Sequence, residues 1–449
     1  MSEIISYLRE NREMAVSTLV DYLKFPSIST TNDPGVRESA EFLSNFMNES
    51  GIETRILPTD GIPVVYGEIL KDKHSPTLLI YGHYDVQPAE ISEGWSNEPF
   101  EPVVRDGKIY ARGSGDNKGQ HLAQILAVRA YGQLGEELPI NIKFLIEGEE
   151  EMGSPNLGKF VADNKELLKA DIACSSDGSI HPSGCPTLAL GCRGLLYVEL
   201  RHEGVNKDLH SGTYGGALTS PFWRLLDAIG VLRDPQTGQV MLPGFYDEVL
   251  PLGQVDVDIL NSIPNPKSEL EVVLGENVNR ITEVDSFYEL TLTKPNLNIC
   301  GFQGGYSQDG MKTIIPGKAI AKLDFRLVVE QNPDAIFDNL CEFLNEKGFN
   351  DIEVKKMATF QPSKTPVDNP FVKNIVNTLL SCNDKTLVYP NFGGSVPDVL
   401  FTKEMGIPSI WFPLANADTN SHGADENLDL TLFHRGSELA TYLIEGLSI

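Results

Sequence analysis

Apolar runs and polar interruptions alternate along this chain with two periods. Residues 78–80, 140–146, 170–176 and 407–412 are short and largely apolar, and runs of that length bounded by turn residues read as strands buried on both faces. Helical spacing appears between them. Leu122, Ile125 and Leu126 follow a glycine-studded loop, and Leu432, Leu439 and Leu443 stripe a last helix. The opening residues, 1–8, read as another amphipathic helix.

The pattern changes after Arg193. Residues 194–200 begin a strand, a helix starts at Pro221, 287–292 resume strand, 319–325 alternate cleanly, 334–346 are helical and 352–355 form a short strand. Such a series predicts an antiparallel sheet with two helices on one side, a ferredoxin-like α+β unit. The Pro- and Gly-containing stretch 243–266 reads as a long connection. The expectation is a two-domain α/β fold. Residues 1–193 and 363–449 build a mixed-sheet domain, and 194–362 are inserted into it.

At 449 residues the chain is too long for one core, and 41% hydrophobic residues suffice for two. No run approaches the roughly twenty apolar residues that span a bilayer, and the start lacks a signal-peptide pattern. A formal charge of −27 disfavours nucleic acid and anionic membranes as partners. The six cysteines, Cys174, Cys185, Cys192, Cys300, Cys341 and Cys382, include no C-x-x-C pair. Free thiols in a reducing cytoplasm account for them.

Chemistry gathers where strands end. His83 and Asp85 follow the first run and, two residues apart, point to one face, an arrangement suited to an imidazole ligand oriented by a carboxylate. Asp116 lies in Gly113-Ser114-Gly115-Asp116-Asn117-Lys118-Gly119. The next strand ends in Glu147, Glu149, Glu150 and Glu151, the third at Asp177, and His422 precedes the last helix. Crowded carboxylates repel unless a cation neutralises them, and open α/β sheets bind ligands beyond the carboxyl ends of their strands.

This order of motifs, with Glu-Glu-x-Gly-Ser at 150–154, Ser-Asp-Gly at 176–178 and Ser-His-Gly-Ala at 421–424, resembles the M20 family of dinuclear zinc metallopeptidases over essentially the whole chain. Asp208-Leu209-His210-Ser211-Gly212-Thr213-Tyr214-Gly215-Gly216 is similar to the carnosinase-type dipeptidase branch. The resemblance implies two divalent ions, zinc with manganese or cobalt as alternatives. His83, Asp116 and Asp177 would surround one, Asp116, Glu151 and His422 the other. It further implies Asp85 as the residue orienting His83, Glu150 as general base toward a bridging water, and a lid and dimerisation domain in the insertion. Asn117 departs from relatives that carry a second aspartate there, and Glu149 is an extra acid beside the base.

The resemblance also implies that His210 reaches the neighbouring subunit's site and stabilises the oxyanion. Arg326 suits a bidentate grip on a terminal carboxylate, and the loop with Gly394 and Ser395 resembles the family's substrate-carboxylate loop. Trp95, Trp223 and Trp411 read as core or interface packing. The expected activity is hydrolysis of dipeptides and short peptides by a cytoplasmic homodimer. An N-acyl amino acid deacylase or desuccinylase of the same fold, or a catalytically silent metal-binding relative, are the alternatives.

Overall fold

Three apolar runs become neighbouring parallel strands, and that register decides where the chemistry lies. In the computed structural model, which describes residues 1–31, 33–274, 286–382 and 385–448, Thr77–His83 pairs in parallel with Asn141–Glu147 on one side and Ile172–Ser175 on the other. Ser409–Trp411 runs parallel to Ile172–Ser175. The four strands therefore end on the same edge, with His83 directly opposite Glu147 and Trp411 opposite Ser175.

Four more strands complete an eight-stranded mixed sheet. Its order is Glu53–Leu57, Val64–Ile69, Asn141–Glu147, Thr77–His83, Ile172–Ser175, Ser409–Trp411, Thr187–Ala189, Leu387–Tyr389. Both faces are covered, which is why the inner strands read as continuous apolar runs. Ile80, Ile142 and Phe144 pack against Leu122, Ile125 and Leu126 of the helix Gly119–Leu134 and against the C-terminal helix Leu430–Gly446. Leu79, Tyr81 and Leu145 face Leu157, Phe160 and Phe401 on the other side. No helix among the described residues is long and apolar enough to cross a membrane.

The second sheet is antiparallel, in the order Asn296–Gly304, Lys318–Leu327, Gly194–Glu203, Glu353–Phe360. Helices Pro221–Gly230 and Pro333–Glu346 cover one face through Leu225, Ala228, Leu340 and Phe343. This is the β-α-β-β-α-β arrangement of a ferredoxin-like lid. The chain leaves and returns at one place, where the backbone N–H of Ser363 donates to the carbonyl of Cys192 at 3.1 Å.

Two local expectations fail. Residues 287–292, expected as a strand, belong to the helix Phe287–Thr293; six residues of alternating character fit either period, and tertiary contacts decide. Arg193 donates to the carbonyls of Thr291 and Lys294 at 2.6 and 3.0 Å, satisfying groups at the helix C-terminus. The true strand, Asn296–Gly304, escaped notice because most of its residues stay exposed. Within the supposed connection 243–266 lies a helix, Gln254–Ser262, tied to the catalytic domain by an Asp256–Lys364 pair at 2.7 Å.

Candidate active site

His83 closes its strand fully buried, and its two ring nitrogens face different partners. Nδ1 lies 3.1 Å from the carbonyl of Asp85 and 3.4 Å from its carboxylate; Nε2 lies 3.1 Å from Asp116 and 3.5 Å from Asp177. Asp85, also fully buried, accepts from Ser29 Oγ at 2.7 Å and from the backbone N–H groups of Glu150 and Glu151 at 3.2 and 3.1 Å. One carboxylate thus orients the imidazole and also holds the turn carrying the two glutamates.

Asp116 stands between the histidines. Its Oδ1 faces His83 and its Oδ2 faces His422 Nε2, each at 3.1 Å, while His422 Nε2 also lies 3.3 Å from Glu151. His422 comes from a loop in which Asn420, His422 and Asp425 all have positive φ, 56°, 63° and 56°, a backbone region costly for residues other than glycine and concentrated at functional sites. Ligand atoms of His83, Asp116 and Glu151 lie within 4.8 Å of one another. All five residues expected as ligands are therefore brought together.

Protonation follows from this crowding. Burial pushes Glu150 well above the usual carboxylate range, and Asp177, Glu151 and Asp116 add to the effect against the opposing His83. Burial alone would lower His83, but hydrogen bonds to Asp116 and Asp177 outweigh it and raise it. Asp116 and then Glu151 raise His422 to about 10. The acids thus draw protons onto both imidazoles, and the imidazole and carboxylate donors, without a thiolate, fit divalent metal ions.

Glu149, the extra acid of this turn, is held by hydrogen bonds. It is buried, and its oxygens accept from the backbone N–H of Ile62 and from Asn156 Nδ2. Arg326, in the lid, donates to Ser395 Oγ of the catalytic domain at 3.2 Å, and its Nε donates to Asp324 at 3.2 Å. The carbonyl of Gly394 accepts from the backbone N–H of Arg193 at 3.2 Å. His210 is exposed on the lid, where its Nδ1 accepts from the backbone N–H of Gly212 at 3.0 Å and its Nε2 lies 3.5 Å from Thr313 Oγ1. Trp95 and Trp411 are buried, whereas Trp223 is 65% exposed.

Glu426 escaped the sequence reading. Fully buried, it accepts from Arg112 Nη1 at 2.8 Å and from the backbone N–H groups of Gly113, Gly115 and Asp116 at 2.9, 2.9 and 3.0 Å. Lys118, also buried, anchors the other end of the same loop on the carbonyls of Phe25 and Tyr22 at 2.8 and 3.3 Å. No local pattern announces Glu426, since an acid next to another acid reads as a solvated turn.

A two-domain fold with a mixed-sheet catalytic domain, a lid and a histidine–carboxylate cage at the strand ends defines a metallopeptidase. The chain belongs to peptidase family M20/M25/M40, whose sequence profile matches residues 79–446. It is 30% identical over 469 aligned residues to the Cys-Gly metallodipeptidase DUG1 of Candida albicans, covering 99% of this chain and 96% of that protein. Among solved structures, the M20 family metallo-carboxypeptidase Sso-CP2 from Sulfolobus solfataricus superposes with a TM-score of 0.90 at 34% identity, over 97% of this chain and 99% of the other. Human carnosine dipeptidase 1 superposes at 0.85 with 26% identity, over 100% and 98%.

Proposed function

We propose that this chain hydrolyses the peptide bond of dipeptides and short peptides, with two divalent metal ions held in the cage, zinc foremost and manganese or cobalt as substitutes. His83, Asp116 and Asp177 hold one ion; Asp116, Glu151 and His422 hold the other. The observation that carries the reading is Asp116, with a histidine on each of its two oxygens at 3.1 Å. Bound there, the ions supply Lewis-acid polarisation of the scissile carbonyl and acidify the attacking water. Glu150 takes the water's proton and returns it to the leaving amine, a role suited to a carboxyl whose affinity for protons is raised by burial. Asp85 keeps His83 and the Glu150–Glu151 turn in register. His210 of the partner subunit donates to the oxyanion. Arg326 and Ser395, with the Gly394 backbone, bind the substrate's free carboxylate, which confines cleavage to short peptides.

The working form is a homodimer joined through the lid. Exposed apolar residues of the lid, Trp223, Leu226 and Phe302 among them, support this reading. Free cysteines throughout the described residues support a cytoplasmic setting. Domain limits at 193/194 and 362/363 are supported by the adjacent crossings at Cys192 and Ser363.

The test is a panel of dipeptides beside N-acetyl and N-succinyl amino acids, run on metal-free protein reconstituted separately with zinc, manganese and cobalt. Dipeptide release with at least one metal is the expected result. Turnover confined to the N-acyl compounds would replace dipeptidase with deacylase, and metal binding without any turnover would leave a silent relative.

A further inference from the structure

We infer that Phe392 is the specificity-determining residue for the substrate's C-terminal side chain, and that the preferred dipeptides end in an apolar residue. The inference rests on the dipeptidase reading and names its substrate class.

The ring of Phe392 lies against the residue after Asp177 of the cage and against the residue before Ser395 of the carboxylate grip. Its ring stacks on Trp411 with centroids 5.4 Å apart and planes 26° from parallel. Trp411 is itself buried, and its Nε1 donates to the carbonyl of Asp177 at 2.7 Å, so the stack is fixed to the strand end that carries this cage residue. A Cβ on Gly178, the residue after Asp177, would lie 2.6 Å from the Phe392 ring. A Cβ on Gly394, the residue before Ser395, would lie 2.7 Å from the same ring. Gly178 has a φ of +75°, which already favours glycine, but Gly394 has no such backbone requirement. There the ring alone demands the missing side chain.

The backbone of Phe392 is held as firmly as its ring. Its N–H donates to the carbonyl of Gly191 at 2.6 Å, and its carbonyl accepts from Arg193 at 3.3 Å. Asn391 Nδ2 donates to the carbonyl of Leu292 at 3.1 Å. Phe392 is nevertheless only half-buried. A rigid, partly exposed aromatic ring packed against both glycines is a wall.

Substrate chemistry says what meets that wall. When the carbonyl of a dipeptide is at the cage and its carboxylate is at Arg326 and Ser395, only the amide N–H and the Cα of the C-terminal residue lie between. Its side chain therefore projects beside Phe392. An apolar side chain gains contact with the ring and sheds water, whereas a charged one loses hydration without gaining a partner.

The experiment measures kcat/KM for Gly-Gly, Gly-Leu, Gly-Phe, Gly-Lys and Gly-Asp, with Leu-Gly and Phe-Gly as mirrored controls, on metal-loaded wild type, Phe392→Ala and Phe392→Leu. Wild type should favour Gly-Leu and Gly-Phe over Gly-Gly by about tenfold or more, the scale that apolar side chains reach in a matching pocket. Phe392→Ala should lose most of that preference, read as the ratio of Gly-Leu and Gly-Phe to Gly-Gly within the same variant. Phe392→Leu should keep Gly-Leu and lose Gly-Phe. If Phe392→Ala does not fold, the Gly-Phe to Gly-Leu ratio in Phe392→Leu decides alone, and an unchanged ratio overturns the inference. So does an equal loss on every substrate, or a preference that follows the N-terminal residue. Absence of hydrolysis across the whole panel in wild type overturns the dipeptidase reading, and this inference with it.

Discussion

Glu426 accepts the backbone N–H of Asp116 at 3.0 Å, so an acid four residues beyond His422 fixes the loop of the carboxylate that His422 faces. The same side chain is the partner of Arg112, a guanidinium only 2% exposed. Glu426→Ala leaves that buried charge unpaired and should destabilise the protein by about 3–5 kcal/mol. Chemical denaturation of the metal-loaded variant measures it. A loss below about 1 kcal/mol would mean that water replaces the carboxylate.

Glu150 meets Asp85 through its backbone N–H, a contact that Glu150→Gln leaves in place. Glu150→Gln should therefore retain its divalent metal while turnover falls by about 10²–10⁴-fold, the usual contribution of a positioned base. Metal analysis beside a peptide-release assay checks both halves. Near-normal turnover would assign the proton transfer to another group.

Asp85 predicts the opposite division. Because it contacts His83 and the N–H groups of Glu150 and Glu151, Asp85→Ala should weaken metal affinity by about 10–100-fold. Competition with a chelating dye reads this directly. Unchanged affinity would reduce Asp85 to a packing role.

His422 and Asp116 make stability depend on pH in the metal-free protein. His422 is raised to about 10, so its contribution is full below the unfolded histidine value and is lost as pH rises from about 6.5 through about 10. For Asp116, burial alone would raise the carboxyl, but His422 and His83 outweigh it and hold it below the usual range. Its contribution is lost on the acid side instead. Thermal unfolding of chelated protein should show Tm falling from near neutrality toward pH 10. Metal loading, which requires deprotonated imidazoles, should remove most of that alkaline decline. A Tm flat over this interval without metal would contradict the His422 pairing.

The proposed reach of His210 across subunits has a test of its own. His210→Ala and Glu150→Gln should each be impaired, and mixing them under subunit exchange should restore turnover, because one hybrid site then holds a sound base and a sound partner histidine. No recovery, with exchange verified by mass, would confine His210 to its own subunit.

Much of the site was legible because parallel strands deliver their ends to one edge. His83, the Glu150–Glu151 pair and Asp177 follow runs whose burial on both faces shows as unbroken apolar sequence, and Asp116 and His422 lie in glycine-marked loops. What stayed hidden depends on contacts between distant segments. Glu426 looks like a surface acid until Arg112 is placed against it, and the helix Phe287–Thr293 looks like a strand until Arg193 meets its end. Glu149 is an extra acid beside Glu150 in sequence, and only the structure shows its oxygens taken up by Asn156 and the Ile62 N–H. Phe392 carried no signal, since its meaning lies in two glycines more than two hundred residues apart.

The crossing at Cys192 and Ser363 has a consequence for the history of such chains. Because the inserted segment departs and re-enters side by side, its two ends meet as those of a separate module would. A cassette attached in this way can be gained, exchanged or elaborated, as the Gln254–Ser262 helix elaborates it here, without shifting any strand that carries His83, Asp177 or the paired glutamates. The hydrolytic centre and the inserted lid are thus free to change at different rates.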